Sequence, residues 1–154
     1  YKTITSGQPS LFGDVIDTED NLAKVGIFNG FSFRQTFISD LNKAKRSIII
    51  SSPKLYRVER NALLAKLCDL MHNGIDIVIM TASESESAAI LRLRGLTIKT
   101  EPNLSLCASI IDKSIVWYGG INLLGYVSEN DNMIRVEDNC LADDLICELF
   151  FHAK

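Results

Sequence analysis

The stretch SLCASIIDKSIVWYGGIN brings a hydroxyl, a thiol, a carboxylate, two adjacent glycines and a side-chain amide close together in sequence: Ser105, Cys107, Asp112, Gly119, Gly120 and Asn122. Ser105 and Cys107 are its potential nucleophiles, and each needs help. A serine hydroxyl requires an adjacent general base, and none stands beside Ser105. A cysteine requires a positive environment to become a reactive thiolate, and the nearest basic residues in sequence are Lys99 and Lys113. Without that help, both side chains simply line a pocket. Asp112 and Lys113 fit a tight turn between two strands. Gly119 and Gly120 permit a close backbone approach or a bulge. Asn122 either caps the turn that follows or binds a phosphate oxygen through its amide.

A second constellation is SSPKLYR, Ser51 to Arg57, which leaves the end of an expected central strand. In α/β sheets ligands bind at that edge. Ser51, Ser52, Lys54 and Tyr56 are candidates for contacting a phosphate backbone, with Arg57 and Arg60 nearby; the alternative is a solvated loop. RLRGLTIK supplies Arg92, Arg94 and Lys99, but Arg92 and Arg94 point in different directions on a helix, so a solvated surface is expected. In TASESESAA, Glu84 and Glu86 would repel a phosphate. His72 and His152 have no motif around them.

The elements that must position these groups follow from periodicity. After a polar, turn-rich lead-in over residues 1–22, Leu22 to Phe28 fits a short edge strand closed by Asn29-Gly30. From Ser32, a plausible N-cap with Gln35 at the capping-box position, Phe33, Phe37 and Leu41 recur at helical spacing to an end near Lys45. SIIIS (Ser47 to Ser51) has no polar alternation and fits a central strand covered on both faces. Leu63, Leu64, Leu67, Leu70 and Met71 mark a second helix, closed by Asn73-Gly74. Ile75 to Ala82 is a buried strand, Ser85 to Arg94 a helix, and Leu96 to Thr100 a strand. LCASIID, SIVWYGG and NMIRVED then form three strands with short turns. Asn139 to Phe151 closes as a helix facing inward through Leu141, Leu145, Ile146, Leu149 and Phe150. Residues 23–154 are expected to form a single α/β domain, a mixed β-sheet sandwiched between helices.

The composition is that of a globular protein: 154 residues, 47% hydrophobic and 23% charged, with a net charge of −3. That charge excludes general electrostatic attraction to nucleic acid but leaves room for a local basic groove. Cys68, Cys107, Cys140 and Cys147 form no Cys-x-x-Cys pair and no zinc constellation, so buried free thiols are expected, with no metal and no cofactor. The absence of a signal peptide or of a long apolar run leads to a cytoplasmic expectation. Nothing supplies an interfacial amphipathic helix or lipid anchor, so no membrane partner is expected. The chain opens at Tyr1 and closes on a helical pattern, and is expected to be part of a longer protein with further domains.

The motif resembles the active-site signature of the phospholipase D superfamily, His-x-Lys-x4-Asp on a strand followed by Gly-Ser-x-Asn. Asp112, Gly119, Gly120 and Asn122 carry the likeness, while Ser105 and Cys107 stand at the His and Lys positions. The order LNKAKRSIIISSP, LLAKLCDLMHNGIDIVIMT, GLTIK and then the motif matches one phospholipase D-like half. IVWYGGINLLG followed by ENDNMIRV looks most like the versions appended to helicases and restriction-type nucleases. The resemblance implies a reaction in which His attacks phosphorus, a second His protonates the leaving oxygen, and Lys and Asn hold the non-bridging oxygens without a metal. It also implies that Asp orients His, that an acidic residue supports it (Glu129 is the match), and that single-motif chains pair as homodimers through the motif face. Each such catalytic group is worth at least about a hundredfold in rate, so replacing both is expected to impair catalysis. The expected function is nucleic-acid (DNA) backbone binding or dimerisation within a DNA-processing protein. The alternatives are an active phosphodiesterase or nuclease using an altered site or a second motif elsewhere, and a purely structural dimerisation module.

Overall fold

A computed structural model describes residues 2–3 and 25–152, with residues 2, 3, 151 and 152 described by their backbone alone. In chain order the elements are β1 (Lys2–Thr3), β2 (Val25–Asn29), α1 (Phe33–Asn42), β3 (Ser47–Ser51), α2 (Ala62–His72), β4 (Asp76–Thr81), α3 (Glu86–Leu93), β5 (Thr97–Thr100), β6 (Cys107–Ile111), β7 (Ile115–Gly119), β8 (Asn132–Glu137) and α4 (Asn139–Cys147). A π-type turn, Glu148–His152, continues α4. The eight strands form one mixed sheet in the order β1-β2-β8-β7-β6-β3-β4-β5. β3, β4 and β5 run parallel, and the remaining neighbours pair antiparallel.

Strand alternation divides the core into two layers. Ile48, Ile50, Ile77 and Ile79 face α1, α2 and α3, which contribute Phe33, Phe37, Leu41, Leu63, Leu64, Leu67, Ala88 and Leu91. Met80, Ile110 and Val116 face the other way, against Ala142 and Leu145 of α4 and Leu149 beyond it. This is why Ser47–Ser51 reads as continuously apolar: both of its faces are covered. A buried polar anchor ties α1 to the sheet. The Asp40 carboxylate accepts from Trp117 Nε1 at 2.8 Å and from Arg135 Nε and Nη2 at 2.6 and 2.9 Å. Burial alone would lower the Arg135 pKa, but hydrogen bonds to Asp40 and Glu137 outweigh it and raise the value.

Several local expectations change. β2 begins at Val25, the expected start at residues 22–24 lies outside the described residues, and β1 pairs with β2 at Gly26 and Ile27. The lead-in over residues 1–22 also lies outside them, apart from Lys2–Thr3. Ser32 makes no side-chain cap. Instead Asn29 Oδ1 accepts from the N–H groups of Phe31 and Ser32, and Ser32 Oγ accepts from Asn29 N–H. α1 stops at Asn42 rather than near Lys45, because the N–H groups of Lys45 and Arg46 are taken by the Asp112 carboxylate. Of the cysteines only Cys107 is buried. Cys68 is half-buried, and Cys140 and Cys147 lie exposed on α4, all as free thiols.

Candidate functional site

One end of the sheet collects the carboxyl ends of β3, β4, β5 and β7 with the start of β6, which follows from the registers Ser51↔Ala108, Thr81↔Thr100 and Cys107↔Gly119. Two connections meet there. Ser52-Pro53-Lys54 leaves β3, and Gly120-Ile121-Asn122 leaves β7. Asn122 Oδ1 accepts from Lys54 N–H at 3.0 Å, and Leu124 O accepts from Tyr56 N–H at 3.0 Å. Gly125 is forced by this contact, since a Cβ on it would lie 2.7 Å from Lys54 O and 2.8 Å from Asn122 Cβ. So Lys54 and Asn122 are brought together, and the Asn122 amide nitrogen and the exposed Lys54 ammonium have no hydrogen-bond or ionic partner among the described residues.

Ser51 and Ser52 are fully buried and do not face a ligand. Ser51 Oγ donates to Leu106 O at 2.5 Å, while Ser52 Oγ donates to Lys54 O and accepts from Leu124 N–H. Their expected phosphate contact gives way to holding the two connections in register. Tyr56 and Arg57 are exposed as expected. The Tyr56 ring meets Tyr126 edge-on at 6.1 Å, and the Arg57 guanidinium lies 5.3 Å from its centroid. Arg57 has φ 45° and ψ 51°, a left-handed conformation costing a non-glycine residue roughly 1 kcal/mol. Beside it a cavity of about 420 Å³ is lined by Arg34, Tyr56, Arg57, Arg60, Asn61 and Ala62.

Ser105 and Cys107 do not share a wall. Cys107 is buried in the core layer that faces α1 and α2. Ser105 precedes β6 and is exposed, lining a cavity of about 320 Å³ with Tyr118, Leu145, Glu148 and Leu149 on the α4 side. Burial pushes the Cys107 thiol up, and the negative charge of Asp131 pushes it further in the same direction. That is the opposite of the environment a thiolate nucleophile requires. Lys99 sits over the Phe150 ring instead, and Lys113 lies at the far end of β6. Asp131 is the acid in electrostatic reach of Cys107; Glu129, matched to the support of the His position at Ser105, is exposed two residues earlier in the same loop.

Asp112 also departs from the role that the resemblance implies. It lies five positions along β6 from Cys107, roughly 16 Å away, and its carboxylate accepts from the backbone N–H groups of Lys45, Arg46 and Ser47. Asp112 and Lys113 both have positive φ, 54° and 55°, as a two-residue type I′ hairpin turn demands. Its position serves the backbone and cannot orient a group at Ser105. Gly119 is required by close approach: a Cβ there would come within 2.5 Å of Asn132 O. Gly120, at the Ser position of Gly-Ser-x-Asn, has room, with the nearest atom 3.7 Å from a built Cβ.

The second basic cluster disperses. Arg92 pairs with Glu84 and donates to Ile98 O, Arg94 is exposed at the end of α3, and Glu86 sits in the first turn of α3. His72 is the last residue of α2, roughly 15 Å along the helix from the cavity that its first residue lines. Tyr126, Asp131 and Arg34 carried no sequence signal, because each belongs to a segment whose approach is set only by the tertiary fold.

No protein-family model matches the sequence, and no curated protein matches it. Solved structures do. Nuc from Salmonella typhimurium, a phospholipase D family member, aligns with a TM-score of 0.64 at 17% identity, covering 80% of this chain and 88% of its own. NucT from Helicobacter pylori gives 0.64 at 14% identity, over 80% of this chain and 91% of its own. TrmBL2, an archaeal chromatin protein with a described mode of DNA binding, gives 0.62 at 13% identity, over 95% of this chain and 58% of its own. At these identities the likeness is one of fold.

Proposed function

We propose that this chain, which has the phospholipase D-like fold, binds a nucleic-acid backbone at the Lys54–Asn122 end of its sheet without cleaving it. The observation that carries the reading is the contrast within that end. The Lys54 backbone N–H bonds Asn122 Oδ1, leaving the Asn122 amide nitrogen and the exposed Lys54 ammonium unpartnered among the described residues. The nucleophile and clamp positions are Ser105, which hydrogen-bonds no base among them, and Cys107, buried with Asp131 in electrostatic reach. A cationic and an amide donor suit phosphate oxygens. A buried thiol with a raised pKa supplies neither nucleophile nor positive charge. The phospholipase D family neighbour Nuc and the DNA-binding neighbour TrmBL2 support the choice of nucleic acid. The host would be a DNA-processing protein of the helicase- or restriction-associated kind.

The test uses end-labelled single- and double-stranded DNA in EDTA, read on paired native and denaturing gels. A shifted band with full-length products, weakened by Lys54→Gln or Asn122→Ala, is expected. Shortened products that vanish in Cys107→Ala would establish the active phosphodiesterase reading instead.

A homodimer is the second reading, favoured by a specific observation. Ile27, Ile134 and Tyr118 sit in register across β2, β8 and β7 and are 45%, 40% and 45% exposed. A cross-strand apolar row open to solvent suits association between copies. Sedimentation of the chain and of Ile134→Lys checks it: loss of a dimer in the variant is expected.

A further inference from the structure

Beyond the motif, the arginine-lined cavity beside Tyr56 holds an unusual arrangement for a chain of net charge −3. Arg34 arrives from the first turn of α1, Arg57 from the strained turn after β3, and Arg60 from the residues just before α2. All three arginines line one cavity, with the Arg34 and Arg57 guanidiniums over the Phe33 and Tyr56 rings. None is paired with a carboxylate among the described residues, where the ion pairs are Arg92–Glu84, Arg135–Asp40 and Arg135–Glu137. Three like charges on one cavity repel one another; Glu59 lies in the same turn but pairs with none of them, and an anion in the cavity reverses the sign of that interaction. Guanidinium forks match phosphate oxygens in geometry as well as charge.

The cavity is continuous with an aromatic platform. Tyr56 is 49% exposed and Tyr126 73% exposed, at an interplanar angle of 87°. The bond from Tyr56 N–H to Leu124 O sets the two segments side by side. Exposed ring faces stack on nucleic-acid bases only where those bases are unpaired, because a duplex hides their faces in its own stack. We propose that the cavity formed by Arg34, Arg57 and Arg60 takes a phosphodiester of single-stranded nucleic acid while the exposed Tyr126 ring, braced edge-on against Tyr56, stacks a base. This rests on the nucleic-acid reading above and specifies which form is bound.

The test is fluorescence anisotropy with a labelled oligothymidylate of about 15 nucleotides and with a duplex of equal length, each across a salt series. Wild type is expected to bind the single strand more tightly. The triple variant Arg34→Gln/Arg57→Gln/Arg60→Gln should weaken single-strand binding at least about tenfold and reduce the salt slope by about two. Tyr126→Leu should lose about tenfold on the single strand and nothing on the duplex, while Tyr126→Phe keeps the affinity. Circular dichroism and thermal midpoints verify that each variant is folded, and removal of exposed side chains should leave both unchanged. If the arginine and tyrosine variants bind like wild type while Lys54→Gln and Asn122→Ala weaken binding, this proposal fails and the nucleic-acid reading stands. If wild type binds neither probe, both fail. Saturable binding of inorganic phosphate that the triple variant loses, with oligonucleotide affinity unchanged, would also overturn it and mark a site for a free anion.

Discussion

At one end of β6 the Asp112 carboxylate accepts from three backbone N–H groups and ties the β6–β7 hairpin to the start of β3. At the other end the Cys107 thiol packs among apolar side chains, with a carboxylate in electrostatic reach. A single short motif therefore contains two kinds of residue. Asp112, Gly119 and Asn122 meet backbone requirements: a carboxylate for three donors, a position without room for a Cβ, and an amide oxygen for Lys54 N–H. Ser105, Cys107 and Gly120 occupy positions where the fold demands no particular functional group. The likeness to the phospholipase D signature rests mainly on the first kind, and the departures fall on the second. A motif likeness carried by residues that serve the backbone is evidence of fold before it is evidence of activity.

Asp112→Ala should show this division most strongly. It removes a charged acceptor from three N–H groups at 2.8 to 3.1 Å, and hydrogen bonds to charged groups contribute about 1.5–3 kcal/mol each, though not additively. A loss near 3 kcal/mol is expected in urea denaturation, with DNA affinity unchanged under conditions where the variant is folded. A drop in affinity without a drop in stability would give Asp112 a part in the site and dissolve the contrast.

The adjacent glycines sharpen the same comparison on a smaller scale. Gly119→Ala would drive a Cβ to 2.5 Å from Asn132 O, so β8 must shift; overpacking of this kind costs about 1–3 kcal/mol. Gly120→Ser meets open space and should change stability by less than about 0.5 kcal/mol. Equal thermal midpoints for the two variants would show that neither glycine is needed for close approach.

What the sequence disclosed follows the same line. Ser47–Ser51, the helix over Ser85 to Arg94 (α3, Glu86–Leu93) and the Asp112-Lys113 turn are local consequences of residue type, and each is found where the pattern places it. The α/β class and the mixed sheet follow from the order of such elements. The misplaced features depend on neighbours distant in sequence. α1 ends early because Asp112, more than sixty residues on, captures the Lys45 and Arg46 N–H groups. Asp131, which the sequence did not single out, lies in electrostatic reach of Cys107, its carboxylate placed by a turn in which Asp131 Oδ2 accepts from Ser128 N–H. Arg34, Tyr56 and Tyr126 come from three separate segments, so no spacing rule could have grouped them. Ser51 and Ser52 were legible as residues at the end of a covered central strand, but their partners Leu106 O and Leu124 N–H arrive from segments more than fifty residues away, so their hydrogen bonds were not.

Cys107 gives the smallest effect and the most direct reading of its end of β6. Its thiol is neutral when protonated, and burial together with Asp131 raises the folded-state pKa. Above the ordinary thiol value of about 8.5, the unfolded chain releases its proton while the folded chain retains it. The folded state then binds more protons, so stability declines as pH rises through that window and is unaffected below it. Cys107→Ala should flatten this decline, visible as thermal midpoints of wild type and variant that converge between neutral and alkaline pH. In parallel, a thiol reagent at neutral pH should label exposed Cys140 and Cys147 quickly and Cys107 slowly. Rapid labelling of Cys107 with a half-point below the ordinary thiol value would mean that a positive charge reaches it. The Cys107 end of β6 would then hold a thiolate, and with it a nucleophile.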